Sequence, residues 1–356
     1  MEYKENRDIK CIHWRVLILL SVLILLCYQN TFNASFQFDD KSNITNNPRV
    51  QINNLYPETL LGAAFDDARS SRLFYRPVSN ISLAVNWYFG QTDVIGYHVV
   101  NLSVHILTAF FLYLAVLALF RTPNLDGRHS GSEYFIALLA AVLWAANPIQ
   151  TQAVTYIVQR MASMAALFYV MGIYLYIMAR ISHSLKRRIV FYGGVFLAFL
   201  LAVGSKENAI MLPAALCLVE MVFFRDLSDV ETRKRFLITG CAVIGAIFAV
   251  GVLLFMNDGL ITRLQDKYAT RAFTLFERLL TQPRVIVFYL SQIFYPIAER
   301  LSIDHDIVVS TGFFRPWTTL PAILAILGAV GAAFWLMTRY PLVSFAVLFF
   351  FLNHVI

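Results

Sequence analysis

The sequence predicts an all-α membrane protein whose helices cross the bilayer many times. Apolar residues make up 58% of the 356 residues and charged residues only 14%, and the mean hydropathy is +0.62. This composition is far from that of soluble proteins. The apolar residues also form runs long enough to cross about 30 Å of hydrocarbon. We therefore predict a polytopic helical bundle over residues 1–356, with no soluble domain.

The predicted spans follow one another from the N-terminus. Apolar runs occupy residues 16–28, 97–120, 135–146, 161–179, 189–203, 209–224, 236–255, 320–337 and 345–356. No small-residue cleavage site follows the first run, which predicts an uncleaved anchor with a cytoplasmic N-terminus. Residues 285–298 fit a crossing, a re-entrant segment or a surface helix, so the topology after about residue 257 stays open. The chain stops inside an apolar run, which predicts that it is a fragment.

The net charge of +7 indicates topology rather than nucleic-acid binding. The basic residues lie in short clusters between apolar runs, such as residues 186–188 and 233–235, as the positive-inside rule expects for cytoplasmic loops. The long polar loop of residues 31–97 then faces the opposite side. Residues 147–160 and the turn at Lys206 face that side as well.

The first loop carries the strongest catalytic candidates, Asp39 and Asp40. Ionised groups where a helix leaves the bilayer need water, a cation or a substrate. Two adjacent carboxylates repel each other, which raises the pKa of one of them and makes it a better proton acceptor. The alternative is a structural role, because Asp is also common in turns. Asp66 and Asp67 form a rival pair on a predicted interfacial helix over residues 57–71, where a solvated face is the simpler account.

Three cations on the same side are candidates for binding an anionic headgroup. Arg160 ends the polar stretch 147–160, and its alternative role is to snorkel to the interface. Lys206 lies on the non-cytoplasmic side, where the positive-inside rule does not expect a lysine, so it is a candidate for binding a lipid phosphate. Its alternative role is to neutralise Glu207 within the turn. Arg76, just before an apolar stretch, has the same two interpretations.

Several kinds of site are not indicated by the sequence. The spacing of the four cysteines is not that of metal ligands, and we expect these side chains to be buried as small hydrophobic residues. They are Cys11, Cys27, Cys217 and Cys241. No phosphate-cradling glycine loop, Ser/His/Asp arrangement or metal-ligand cluster stands out, so no cofactor is predicted and a divalent metal is left open.

Four motifs occur in order along the chain. They are Phe38-Asp39-Asp40; Tyr75-Arg76-Pro77-Val78, followed by Gly96-Tyr97-His98-Val99-Val100-Asn101 and His105; Asn147-Pro148-Ile149-Gln150-Thr151-Gln152-Ala153-Val154 with Gln159-Arg160; and Ser205-Lys206-Glu207. Together they resemble the transmembrane and tetratricopeptide-repeat O-mannosyltransferases and their bacterial relatives. Those enzymes belong to the GT-C superfamily of polyprenyl-phosphate-sugar-dependent glycosyltransferases.

The resemblance implies a GT-C-type bundle whose outward-facing loops build the active site. The acidic motif of the first loop is catalytic in that family, a role that falls on Asp39 or Asp40. The residues that we predict to bind lipid phosphate or substrate are Arg76, His98, Arg160, Lys206 and Glu207, although lone histidines such as His98 and His105 more often pack between helices. Many relatives carry His and an acid where this chain has Asn147 and Gln152, which leaves the metal role of that loop open. The repeat domain of the family is absent from this sequence.

The function that the resemblance implies is transfer of a sugar from a polyprenyl-phosphate donor to an acceptor hydroxyl, with inversion. The expected partners are that donor, an acceptor protein bearing Ser or Thr, and the bilayer, without nucleic acid. The site is expected at the periplasmic face of a bacterial inner membrane, or in the lumen of the endoplasmic reticulum in a eukaryote. A transporter or flippase of an amphiphile is the alternative, although charges deep in the apolar runs are scarce. A non-catalytic membrane scaffold is a third hypothesis. The sequence does not indicate the sugar, the acceptor or the oligomeric state.

Overall fold

Most of the structure that is described is helical. The computed structural model describes residues 2–65, 76–128, 130–226, 229, 231, 234, 268, 271–302 and 305–354. Within these residues there is no β-strand, and six helices are long and apolar enough to cross a membrane, or seven if one bent pair forms a single span. The predicted all-α polytopic bundle is therefore confirmed. The Asp66 and Asp67 pair and the apolar run 236–255 lie outside the described residues.

The chain folds as two compact units, and the first comprises residues 1–217 with 355–356. Its helices are α1 (Glu2–Tyr28), α2 (Pro57–Ala63), α3 (Pro77–Gly90), α4 (Val94–Leu119), α5 (Glu133–Ala146), α6 (Thr151–Thr155), α7 (Arg160–Ile181) and α8 (Leu185–Ser205), and α9 (Leu212–Val219) begins there. The apolar runs of the sequence thus correspond to real helices. Most of these helices extend a few residues beyond the predicted bounds, because polar end residues continue the helix past the hydrocarbon-like core.

Small side chains let the helices of the first unit approach closely. Ala137, Ala141 and Ala145 recur every four residues on α5, and all three are fully buried in the core shared with α1 and α4. In α7, a Cβ on Gly172 would lie 2.9 Å from a methyl carbon of Leu212. Close van der Waals packing of this kind holds membrane helices together, since lipid tails offer no hydrophobic drive between them.

The segment 147–160 is more ordered than the loop that the sequence predicts. After α5 ends, a 3₁₀ turn (Pro148–Gln150) and α6 continue the chain at a 52° bend. Pro148 lacks a backbone N–H and disfavours helical geometry at Asn147, whose side chain instead accepts a hydrogen bond from the Ile149 N–H at 3.1 Å. The bend therefore directs the chain after α5 toward the start of α7.

The first polar loop has its own small core. Ile44, Val50 and Leu83 are fully buried there, packed around the base of α4 at Tyr97. A loop stabilised in this way can hold side chains at fixed positions. The interfacial helix predicted over 57–71 is described as α2, which covers seven residues.

The prediction that the cysteines are buried is wrong for three of them. Cys11, Cys27 and Cys217 are exposed, and Cys241 lies outside the described residues. Cys11 and Cys27 lie in the first apolar span, where a side chain facing hydrocarbon need not be covered by protein. Apolar runs in membrane proteins therefore do not distinguish core from lipid-facing positions.

The second unit comprises residues 218–354. It contains a π-helical turn (Glu220–Phe224), α10 (Leu275–Phe294), α11 (Thr319–Leu336) and α12 (Pro341–Leu352). Helix α10 starts with a capping box between Thr274 and Glu277, carries charged residues, and is not among the helices apolar enough to span a membrane. Of the three arrangements predicted for 285–298, this helix has the composition of the surface one. Helix α11 matches the predicted span at 320–337.

Candidate active site

Asp40 is fixed in the interior by backbone hydrogen bonds. One carboxylate oxygen accepts from the Val158 N–H at 2.7 Å and the other from the Gln37 N–H at 2.9 Å, and the residue is only 1% exposed. Burial raises the pKa of this carboxyl, although the two N–H groups and nearby His98 oppose the shift. These two hydrogen bonds connect the first loop to the segment just before α7.

Asp39 has the opposite environment, with an exposed side chain. Its backbone N–H donates to the Tyr156 hydroxyl at 2.9 Å, and its carbonyl accepts from the side chain of Asn43 at 2.8 Å. The preceding Phe38 has a φ of 39°, a strained value for a bulky residue, and its ring lies edge-on to Tyr156 at 6.4 Å. Such strain persists only where the surroundings hold it, and it clusters at functional sites. Asp39 is thus an exposed carboxylate on a rigid backbone.

Tyr156, which sequence reasoning missed, is central to this arrangement. Burial raises the pKa of its hydroxyl, and the neighbouring Asp39 and Asp40 add to that shift. The hydroxyl therefore stays protonated near neutral pH, and it shares a side-chain hydrogen bond with Asp39. The only sequence signal was its place in the polar stretch before Arg160.

His98 anchors the end of the first span. Its ring nitrogens lie 2.9 Å from the Ala34 carbonyl oxygen and 3.5 Å from the Thr31 hydroxyl, and the ring is fully buried. Thr31 also donates to the Thr155 hydroxyl at 3.0 Å. These contacts favour the packing role weighed for His98, since a covered ring does not face a ligand.

Arg160 is fully buried among neutral groups. Its guanidinium donates to the Asn101 side-chain oxygen at 2.7 Å, to the Tyr97 carbonyl at 3.0 Å, and to the carbonyl and hydroxyl of Ser82 and the side chain of Asn86. Asn101 in turn donates to the Val154 carbonyl at 3.2 Å. A guanidinium engaged in this way joins α3, α4 and α7 and has no face turned toward a phosphate. The predicted phosphate contact and the snorkelling alternative are both disfavoured by this geometry.

Arg76 and Glu207 form a two-pronged salt bridge. The Arg76 Nε and Nη2 atoms donate to the two Glu207 carboxylate oxygens at 2.8 and 2.6 Å, and Nη1 points to the Met161 sulfur. The pair joins the start of α3 to the end of α8. Bidentate pairs of this type combine charge with fixed geometry.

A close helix approach places that pair. A Cβ on Gly204, in the last turn of α8, would lie 2.7 Å from a Val78 methyl carbon on α3. The Ser79 hydroxyl donates to the Ser205 carbonyl at 3.2 Å, which pins the two helices just beside the turn. Gly204 was not predicted as a site residue, although its place directly before Ser205-Lys206-Glu207 was a usable signal.

Lys206 is the available cation of this group. It is partly exposed, and in the described part of the chain no side chain or carbonyl accepts a hydrogen bond from its ammonium. Partial burial lowers its pKa, and the Arg76 charge lowers it further while Glu207 opposes the shift. The predicted neutralisation by Glu207 is incomplete, because the carboxylate is held by Arg76.

One short segment connects the acidic and basic parts of the site. Tyr156, Val158 and Met161 pack together as a buried cluster at the start of α7. Tyr156 and Val158 contact Asp39 and Asp40, while Met161 contacts Arg76. The structure therefore brings the four sequence motifs to the same ends of the helices, and among the described residues no group of three or more His, Cys, Asp or Glu side chains could hold a metal.

The fold and the site together define a class of protein. It is a polytopic helical membrane protein in which an exposed carboxylate, Asp39, and a partly exposed lysine, Lys206, lie just outside apolar helices. The chain is similar to protein O-mannosyl-transferases, which confirms the predicted resemblance. F38B6.6 of Caenorhabditis elegans is 25% identical over 249 residues, covering 69% of this chain and 32% of the relative. TMTC3 of Mus musculus is 27% identical over 59% of this chain and 22% of the relative. The tmtc2 protein of Xenopus laevis is 33% identical over 45% of this chain and 18% of the relative.

The similarity covers only part of these relatives. The chain spans about a third of their length or less. No family model matches the chain, and no solved structure matches it.

Proposed function

We propose that this chain is the membrane part of a glycosyltransferase that moves a sugar from a polyprenyl-phosphate donor to a Ser or Thr hydroxyl of a protein. The names of the relatives indicate mannose as the sugar. The observation that carries the proposal is the contrast between Asp39 and Asp40: one carboxylate is held inside by two backbone N–H groups, and its neighbour is exposed on the same rigid turn.

Asp39 is the general base in this proposal. It accepts the proton of the acceptor hydroxyl while the hydroxyl oxygen attacks the anomeric carbon of the sugar. The new C–O bond forms as the bond from the anomeric carbon to the phosphate oxygen breaks, and polyprenyl phosphate leaves with both electrons of that bond. A single displacement of this kind inverts the anomeric centre.

Lys206 binds the phosphate in this proposal. Its ammonium has no acceptor in the described structure, whereas Arg160 is fully engaged inside and Arg76 is held by Glu207. An uncommitted cation at a helix end meets a headgroup without losing an existing bond. Charge-assisted hydrogen bonds from Lys206 stabilise the phosphate as its negative charge grows.

The remaining residues position these two groups. Asp40 and Tyr156 hold the backbone of Asp39, and Arg160 fixes the start of α7 against α3 and α4. Arg76 and Glu207 hold the turn that carries Lys206. We propose that this end of the bundle faces the lumen of the endoplasmic reticulum in a eukaryote, or the periplasm in a bacterium, since the basic loops 186–188 and 233–235 belong on the cytoplasmic side.

The test is sugar transfer by purified protein in lipid nanodiscs, with radiolabelled polyprenyl-phosphate mannose and a Ser/Thr-rich acceptor peptide. Wild type should label the peptide, and Asp39→Asn should reduce the rate by about 100-fold or more, as expected for loss of a general base. Asp126→Asn is the matched control, because Asp126 is also exposed but lies in the loop between α4 and α5, at the other end of α4. Undiminished transfer by Asp39→Asn would remove the assigned base. Movement of the donor across the membrane without peptide labelling would instead select the transporter.

A further inference from the structure

The second unit contains a cavity that the proposed function does not use. It has a volume of about 440 Å³ and lies between α10, the loop after it and the start of α11. Its polar lining comprises Arg284, Ser291, Asp306 and Thr318. The rest of its wall is apolar, with Phe288 and Ile307 among the lining residues.

Two opposite charges line this cavity without pairing. Arg284 uses one terminal nitrogen on the Val308 carbonyl at 2.6 Å and the Ser310 hydroxyl at 3.3 Å, and its other nitrogens have no acceptor within the described ranges. Asp306 is exposed, and no described residue donates a hydrogen bond to it or forms an ion pair with it. Side chains of opposite charge that share a cavity but stay apart leave room for a ligand carrying both complementary charges.

A third group points to the same conclusion. The Thr318 hydroxyl oxygen is buried and has no hydrogen-bond partner among the described atoms. Buried polar atoms are nearly always satisfied, so such an exception calls for a ligand or an ordered water. Thr318 lines the same cavity as Arg284 and Asp306.

The surroundings have the chemistry of a membrane interface. Helix α10 exposes an apolar stripe that includes Phe276, Leu279 and Phe294, while its charged residues lie elsewhere on the helix. The loop before α11 exposes Phe314 and Trp317 at 72% and 73%. Amphipathic helices and exposed aromatic residues of this kind lie at the level of lipid headgroups.

We propose that this cavity binds the phosphoethanolamine headgroup of a membrane lipid. The phosphate accepts from the free nitrogens of Arg284, the primary ammonium donates to Asp306, and the Thr318 hydroxyl donates to a phosphate oxygen. The acyl chains follow the exposed apolar stripe of α10. The site is independent of the proposed sugar transfer, because all of its residues belong to the second unit.

The chemistry predicts an order of preference among lipids. Phosphatidylcholine has a quaternary ammonium with no N–H to donate to Asp306. Phosphatidylglycerol has no cation at all, and its net negative charge meets that carboxylate. Phosphatidylethanolamine should therefore be retained best, and soluble phosphoethanolamine should displace it, since the headgroup carries the recognition.

The experiment is native mass spectrometry of the full chain after equilibration with nanodiscs of phosphatidylcholine containing either phosphatidylethanolamine or phosphatidylglycerol. Arg284→Gln should weaken retention of phosphatidylethanolamine by about tenfold or more, the effect of losing hydrogen bonds to a charged group. Asp306→Asn should remove the preference over phosphatidylglycerol. Arg278→Gln is the matched control, because Arg278 lies on the same helix but donates to the Tyr268 hydroxyl outside the cavity.

The outcomes separate clearly. Equal retention of all three lipids by the wild type overturns the proposal, and this measurement needs no variant that folds. Strong retention of phosphatidylglycerol that is insensitive to Asp306→Asn also overturns it, in favour of a plain anion site. Equal losses in Arg284→Gln and Arg278→Gln would contradict a role for the cavity. Selective loss in Arg284→Gln, with displacement by soluble phosphoethanolamine, supports it.

Discussion

The carboxylate of Asp40 accepts a hydrogen bond from the backbone N–H of Val158 at 2.7 Å, across 118 positions of sequence. This contact separates the roles of two adjacent acids. Asp40 is committed to the backbone, so its carboxylate orients the turn, and Asp39 is left exposed at the surface of the site. Adjacency in sequence thus gives a pair with one structural and one reactive member.

We predict that the two Asp→Asn changes fail in different ways. Asp40→Asn keeps one acceptor but turns amide hydrogens toward a backbone donor, so it should destabilise the fold by about 1–3 kcal/mol. Asp39→Asn leaves an amide oxygen that can still accept from the Tyr156 hydroxyl, so stability should change little while activity is lost. Thermal unfolding in nanodiscs and transfer rates for both variants check this. Equal destabilisation of both would contradict the division of roles.

The pH dependence of stability should carry the signature of Asp40. Burial raises its pKa above the ordinary value of 3.8, so the folded protein binds this proton more tightly than the unfolded chain does. The resulting stabilisation is fully present below the unfolded pKa and is lost as the pH rises through the folded pKa. As the pH rises from about 4 through the raised pKa of Asp40, wild type should therefore lose stability relative to Asp40→Asn. Unfolding temperatures measured over this pH range test the sign of the effect, and a difference between wild type and Asp40→Asn that grows as the pH falls confirms it.

We predict that Lys206 affects donor binding alone. Lys206→Gln removes the cation but no existing hydrogen bond, so the affinity for polyprenyl-phosphate sugar should fall by about 1.5–3 kcal/mol. Acceptor-peptide affinity and unfolding temperature should be nearly unchanged. Lys41→Gln, a change of another exposed lysine in the first loop, is the control for general charge loss. Loss of acceptor affinity with normal donor binding would contradict the phosphate assignment.

The sequence predicted most of the fold because membrane spans leave a direct record in hydropathy. A run of apolar residues such as 189–203 has few stable alternatives to a helix in lipid. The charge pattern also predicted that Asp39, Arg160 and Lys206 lie toward one side, and contacts within the first unit do connect the segments that carry them. The bend after α5 was missed, since residues 147–160 were interpreted as a polar stretch between two apolar runs and not as a helical continuation of the first run.

The roles within the site could not be predicted in the same way. Arg160 looks like a headgroup ligand in sequence because it follows a polar stretch, but its burial depends on Asn101 and Asn86, which are distant in the chain. Likewise, nothing in the pair Asp39-Asp40 indicates which carboxylate meets the Val158 N–H. Residue type and spacing identify the groups, and only tertiary contacts decide which of them remain uncommitted.

Arg160 should therefore behave as a structural residue. Arg160→Ala strands buried acceptors on Asn101, Tyr97 and Ser82, and should destabilise the protein by about 1–3 kcal/mol for each acceptor that is left unsatisfied. Arg160→Lys supplies fewer donors in a different geometry, so it should restore only part of the stability. The measurement is the unfolding temperature together with donor affinity of the folded fraction. A stable Arg160→Ala protein that has lost donor binding would show that Arg160 contacts the phosphate after all.

The final prediction concerns Gly204 and Val78, whose close approach sets the turn that carries Lys206. Gly204→Ala introduces a Cβ 2.7 Å from a Val78 methyl carbon, and overpacking of this kind should cost about 1–3 kcal/mol. Gly193→Ala on the same helix meets nothing within 4 Å, so it should be neutral or stabilising by up to about 1 kcal/mol. Because the clash involves one methyl group, Val78→Ala should recover most of the stability and donor affinity that Gly204→Ala loses. A double-mutant cycle with both readouts tests this. Additive losses in the double variant would mean that the two residues are not coupled, and that the position of Lys206 is set elsewhere.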